Sequence, residues 1–335
     1  MVIPLAASTG SAYSCARMAR RFITNLQLTL AAGYLLFFFS ERLFWTVFKP
    51  GDRVFDLMIT WFAYSVLGCV LLNIVKGFEA RTPSRLVLAG AIYGWLAEGG
   101  LVGTLYGTEA SAPFPRSIVQ TALSWHMLIS VVVGFHFLTS AIRQGSIQKT
   151  ALISAGIGLF WAAWAPFQWR ETPPIVLSVW AFTAHAFLTS ALLALACTIL
   201  SGDAMSRYKP GWFGLILSLL ILAVFYSAQV KALGVRPLVV LPLLVGAVLA
   251  LLWWAKPTIQ PPPVDAPICN RWRCALAIFA MPLIATLGYA FQILIATRGV
   301  NPTFIFNGLA LVGMAVFLAA CAFLVRQRVQ FSTHS

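Results

Sequence analysis

Apolar runs of about twenty residues recur along the whole chain, and they decide what it can fold into. About ten are present, near 22–40, 57–75, 86–106, 117–142, 151–169, 175–200, 212–230, 237–255, 274–297 and 303–325. A helix rises ~1.5 Å per residue, so each run is long enough to cross a hydrocarbon core ~30 Å thick. None alternates polar and apolar residues as a membrane barrel strand must. Backbone groups in lipid have to be satisfied within their own segment, which leaves helices. The predicted fold is therefore an all-α polytopic transmembrane helical bundle. Composition agrees, with 60% of the 335 residues hydrophobic and 10% charged, where a soluble domain has about a quarter charged.

The net charge of +14 would suit nucleic acid only if it were gathered into a patch. Here Lys and Arg stand singly at the ends of apolar runs, so the expected partner is the lipid bilayer and not nucleic acid. Of the 23 basic residues, fifteen fall on the N-terminus, alternate loops and the C-terminus, and eight on the opposite loops. That bias places both termini in the cytoplasm. Residues 1–21 are basic and free of acids, and no small-residue cleavage site closes the run that follows, so an uncleaved first span is expected. The expected location is a cell membrane, with the bacterial inner membrane foremost.

The division that follows has a basic segment (1–21), an eight-span core (22–255), a proline-rich cytoplasmic linker (256–273), a two-span C-terminal hairpin (274–325) and a tail (326–335). SERLFWTVFKPGDRVFD, after the first run, mixes charges with aromatics and reads as an interfacial turn or a short helix lying along the external headgroups. The six cysteines include a Cys269/Cys274 pair whose spacing fits neither a zinc knuckle nor a thioredoxin-type motif, so no structural metal or disulfide framework is predicted.

Chemistry concentrates in Leu86–Ile142, which reads as one transmembrane hairpin. Glu98 lies about fourteen residues before the centre of its polar turn and His126 about fourteen after, so the two share a depth. An ionisable residue inside a membrane is a functional hypothesis by default. His185 in the sixth run is expected at the same level, in the outer half of the bilayer, whereas His136 lies deeper and on another face. Trp95, Trp125, Trp161 and Trp164 fall near this layer, with Gln168 on the face of Trp161 and Trp164. Several of these rings are too deep for an interfacial belt, and they predict an aromatic pocket around the polar groups.

Three functions fit such a layer. A proton-linked transporter of a small organic or lipid-linked solute would use Glu98 as its titrating group. An intramembrane hydrolase would use the Glu/His groups directly, or Glu98, His126 and His185 as metal ligands. A non-catalytic subunit or assembly factor would bind a membrane protein partner through the nearly polar-free region 212–325. No sequence motif names a cofactor.

Overall fold

The computed structural model describes residues 9–46, 53–110, 112–170, 172–202, 205, 208–255, 271–295 and 301–332. Among these residues all regular structure is helical, and nine helices are long and apolar enough to cross a membrane. In chain order, α1 is Thr9–Phe37, prolonged by a π-turn at Phe38–Arg42 and a final turn at Leu43–Trp45. It is followed by α2 (Val54–Gly77), α3 (Pro83–Leu96), α4 (Ser117–Arg143), α5 (Ile147–Trp164) and α6 (Val179–Leu200). The last four are α7 (Trp212–Leu233), α8 (Val235–Trp254), α9 (Arg271–Leu294) and α10 (Pro302–Ser332).

The third predicted run differs most from expectation. It is not a continuous helix over 86–106. Instead α3 begins with Pro83 in its first turn, widens into a π-turn at Ala97–Leu101 and breaks at Val102, which is extended (φ −122°, ψ 167°). A 3-10 turn at Thr104–Tyr106 follows. Gly99, Gly100 and Gly103 account for the break, because each glycine costs a helix about 1 kcal/mol relative to alanine. The fifth run also ends early: α5 tightens into a 3-10 turn at Ala165–Arg170, where Pro166 has no backbone N–H to give. Between α7 and α8 the chain reverses on Gly234 alone, at a positive φ of 71° that a side chain would disfavour.

Most of the expected proline-rich linker lies outside the described residues; its last three, 271–273, already belong to α9. Cys269 is likewise outside them. Cys69, Cys197, Cys274 and Cys321 are free thiols.

Helices α1 to α6 form the interior, with α9 packed on α5 and α6, and α10 on α3 and α4. In α4, 72% of the apolar window is buried, against 11% in α7, 22% in α8 and 17% in α10. The three outer helices present Leu220, Val224, Leu243 and Leu311 outward, as lipid-facing helices do. The hairpin α3–α4 is held close because Gly94 has no side chain where the Ala122 carbonyl approaches.

Candidate functional site

Three helices depart from α geometry at the same end of the bundle, where α1, α3 and α5 finish and α2, α4 and α6 begin. Leu43 N–H donates to Phe38 O, Val102 N–H to Ala97 O at 3.2 Å and His126 N–H to Thr121 O at 3.1 Å, each five residues back. In α4 the π geometry persists over Ala122–Leu138. Such widened turns insert an extra residue, re-aim the side chains around them and recur at functional sites. Here they carry Ser40, Glu98 and His126.

These three side chains are bonded in series. Glu98 Oε1 lies 2.6 Å from His126 Nε2, and His126 Nδ1 lies 2.9 Å from Ser40 Oγ. Ser40 Oγ also meets Tyr93 OH at 3.0 Å and Ser130 Oγ at 3.1 Å. At the other end, the Thr104 hydroxyl donates to Glu98 Oε2. Glu98 is 7% exposed and His126 3%, so the pair is out of water. Burying a charge is costly unless it is paired and hydrogen-bonded, and this carboxylate has both kinds of partner.

Proton placement follows from the donor inventory. With His126 neutral, Nε2–H donates to Glu98 and Nδ1 accepts from Ser40, which accepts in turn from Tyr93 and Ser130. With His126 protonated, Nδ1–H donates to Ser40, whose own proton turns to Tyr93 or Ser130. Ser130 then has the Trp125 carbonyl as its acceptor, at 3.5 Å. Every group is satisfied in both states.

Two further charges border the chain. Glu41 Oε1 accepts from Tyr64 OH at 2.8 Å, and the Tyr64 ring centroid lies 6.5 Å from that of His126. Arg42 is buried with its guanidinium 5.0 Å from the centroid of Phe37. The SERLFW stretch therefore does not begin an interfacial turn. Its Ser-Glu-Arg triplet continues α1 as the π-turn and faces the protein interior, where paired charges are tolerated.

The expected aromatic residues have a specific task. A helix leaves its last carbonyls unpaired, and a π-turn frees another; buried, each needs a donor. Trp125 Nε1 donates to Phe39 O at 2.7 Å and Trp164 Nε1 to Phe44 O at 2.7 Å. Gln168 Nε2 donates to Trp45 O at 2.9 Å, and His185 Nε2 to Arg42 O at 3.2 Å. Trp125, Trp164 and Gln168 thus cap the end of α1, while His185 adds a second bond to Arg42 O, which already accepts from the Thr46 N–H at 3.1 Å. Trp95 instead ties the hairpin together, donating to Ile118 O at 3.0 Å. Trp161 is fully buried between Phe38 and Phe182, with its ring 6.1 Å from His185.

His185 thus meets α1 at Arg42 O, two residues beyond Ser40. Among the described residues no three His, Cys, Asp or Glu side chains gather as metal ligands, so Glu98, His126 and His185 do not form the ligand set that the metal-hydrolase alternative would need. His136 contacts Phe137 and stands apart from the network.

The broken end of α3 is dressed by neighbours. Glu98 O accepts from Thr104, Gly99 O from Tyr106 OH at 2.8 Å, and Leu101 O from Gln229 of α7 at 3.3 Å. Arg236 of α8 donates to Tyr106 O at 2.9 Å. Two residues beyond Glu98, Gly100 is buried, yet a Cβ placed there would meet no atom within 4 Å.

No protein-family model, no curated protein and no solved structure matches this chain.

Proposed function

We propose that the protein is a proton-linked transporter of a small organic or lipid-linked solute, with the Glu98–His126 pair as its proton-binding site. The observation that carries this reading is the position of the pair at a helix break. Transporters bind solutes and coupling ions at interrupted membrane helices, where backbone and side chains line a cavity instead of lipid. Glu98 sits on the last π-turn before the break at Val102. A buried acid bonded to an imidazole gives two groups that exchange one proton without exposing either charge.

In this reading both termini are cytoplasmic and the site opens to the outer half of a cell membrane. Single cysteines at Ser146 and Thr172, in a cysteine-depleted background, test the orientation: a membrane-impermeant maleimide applied outside should label only the second. The transport reading itself is tested by reconstitution on a solid-supported membrane. A pH jump should displace charge as the pair takes up protons, before any solute is added. Absence of a protein-dependent signal would remove proton coupling.

The Ser40–His126–Glu98 order also matches nucleophile, base and orienting acid, the pattern of a hydrolase. That second reading needs a reactive Ser40. Covalent labelling of Ser40 by a fluorophosphonate would favour it, and no labelling in folded protein would argue for transport.

A further inference from the structure

Resting on the transport reading, we infer that the α7–α8 hairpin is a lateral gate over the broken end of α3, through which an amphipathic or lipid-linked solute reaches Glu98 from the bilayer. The solute class narrows to molecules already dissolved in lipid. What carries the inference is how differently the two ends of the hairpin are tied down.

Away from the break, buried polar groups hold it. Asn73 of α2 donates to the Tyr208 hydroxyl, just ahead of α7, at 3.0 Å, and both residues are buried. Buried Arg85, in the first turn of α3, donates to Ala255 O just past the end of α8. Separating buried partners costs their full desolvation, so this end is the fixed one.

At the break, the ties run to the backbone of the broken stretch. Gln229 donates to Leu101 O at 3.3 Å, longer than the usual range, and the exposed Arg236 to Tyr106 O at 2.9 Å. Tyr226 OH donates to Pro237 O at 2.8 Å, which fastens α7 and α8 to each other across the Gly234 turn. Pro242 interrupts α8 six residues past Arg236, where a missing N–H lets a helix bend. An anchored base, two helices joined as one body, a bend point and a lightly held tip make a hinge.

The tip lies over the approach to the acid. A Cβ on Gly103 would stand 2.7 Å from Gln229 Oε1 and 3.2 Å from Leu233 Cδ1, so the hairpin rests directly on that residue. Thr104, next in the chain, donates its hydroxyl to Glu98 Oε2. Lifting the tip therefore withdraws the cover from the stretch that borders Glu98. Outside it lies lipid: Val102 is 46% exposed and Val235 71%. Irregular backbone at membrane depth is tolerated only where protein or a cavity covers it, which is why the gate rests closed.

The test uses dicyclohexylcarbodiimide, a lipid-soluble reagent for buried carboxyl groups, on the full-length protein in vesicles. Modification of Glu98 is read by mass spectrometry. Gly103→Cys/Gln229→Cys, in a cysteine-depleted background, removes the Gln229 bond and lets a short reducible bridge between the two thiols replace it. Reducing the bridge should speed modification of Glu98 roughly tenfold or more, because opening is then opposed by ordinary hydrogen bonds alone. In the reduced protein a water-soluble carbodiimide should modify Glu98 more slowly than the lipid-soluble one. Where the cysteine pair does not yield monodisperse protein, Gln229→Leu should speed modification relative to wild type. Equal rates in bridged and reduced protein, an unchanged rate in Gln229→Leu where it stands in, no modification in any state, or faster modification by the water-soluble reagent would overturn the gate. An absent charge signal after a pH jump in the wild type would instead defeat the transport reading on which the gate rests.

Discussion

Glu98 and His126 lie 28 residues apart in the chain and 2.6 Å apart in the fold, bonded carboxylate to imidazole beneath the turn of one helical hairpin. The contact needs three local events. Gly94 lets α4 approach, a π-turn re-aims Glu98, and another re-aims His126. The last two depart from a regular α-helix, and the three together place an acid and a base in a dry site.

Breaking this pair from one side should cost more than its own bond. Removing one partner of a buried pair typically destabilises by about 3–5 kcal/mol, because the other charge is left behind. His126→Leu should therefore lower stability by about that amount, measured by unfolding in mixed micelles. Glu98→Gln keeps its carbonyl oxygen as acceptor for Nε2–H and offers its amide N–H to the Thr104 oxygen, whose own proton still has the residue-98 backbone carbonyl, so it should cost much less, on the order of 1 kcal/mol.

The tryptophans should behave as caps. Trp125→Phe and Trp164→Phe retain an aromatic ring but remove the donors to Phe39 O and Phe44 O. Each leaves a buried carbonyl unpaired and should cost about 1–3 kcal/mol of stability. The charge displaced by a pH jump should be unchanged in both. A variant as stable as wild type with altered proton binding would instead return these rings to a ligand pocket.

Two glycines in one helix should respond in opposite ways. Gly94→Ala drives a methyl into the Ala122 carbonyl and should split the hairpin, seen as loss of monodisperse protein. Gly100→Ala meets open space and should fold normally.

Parts of this site could be read from the sequence for a physical reason. Antiparallel arms convert equal distance from a turn into equal depth, so counting from the turn brought Glu98 and His126 to one level. Counting says nothing about rotation, and the π-turns that set rotation have no sequence signature. Ser40, Glu41 and Arg42 read as the start of an interfacial stretch because charges next to an apolar run look like its end; the helix carries them inward instead. Trp125, Trp164, Gln168 and His185 drew attention for their depth. Their partners are carbonyls at the end of α1, and backbone groups are invisible in a pattern of side chains. The break in α3 was foreshadowed by Gly99, Gly100 and Gly103 as a weak point, while its position at the acid emerged only in three dimensions.

The most direct test of the central claim is the charge displaced by wild-type and Glu98→Gln protein after the same pH jump on a solid-supported membrane. The account predicts a protein-dependent transient in the wild type and its loss in Glu98→Gln, with both proteins inserted and monodisperse. Equal transients in the two would contradict it, because the proton would then bind somewhere other than the Glu98–His126 pair.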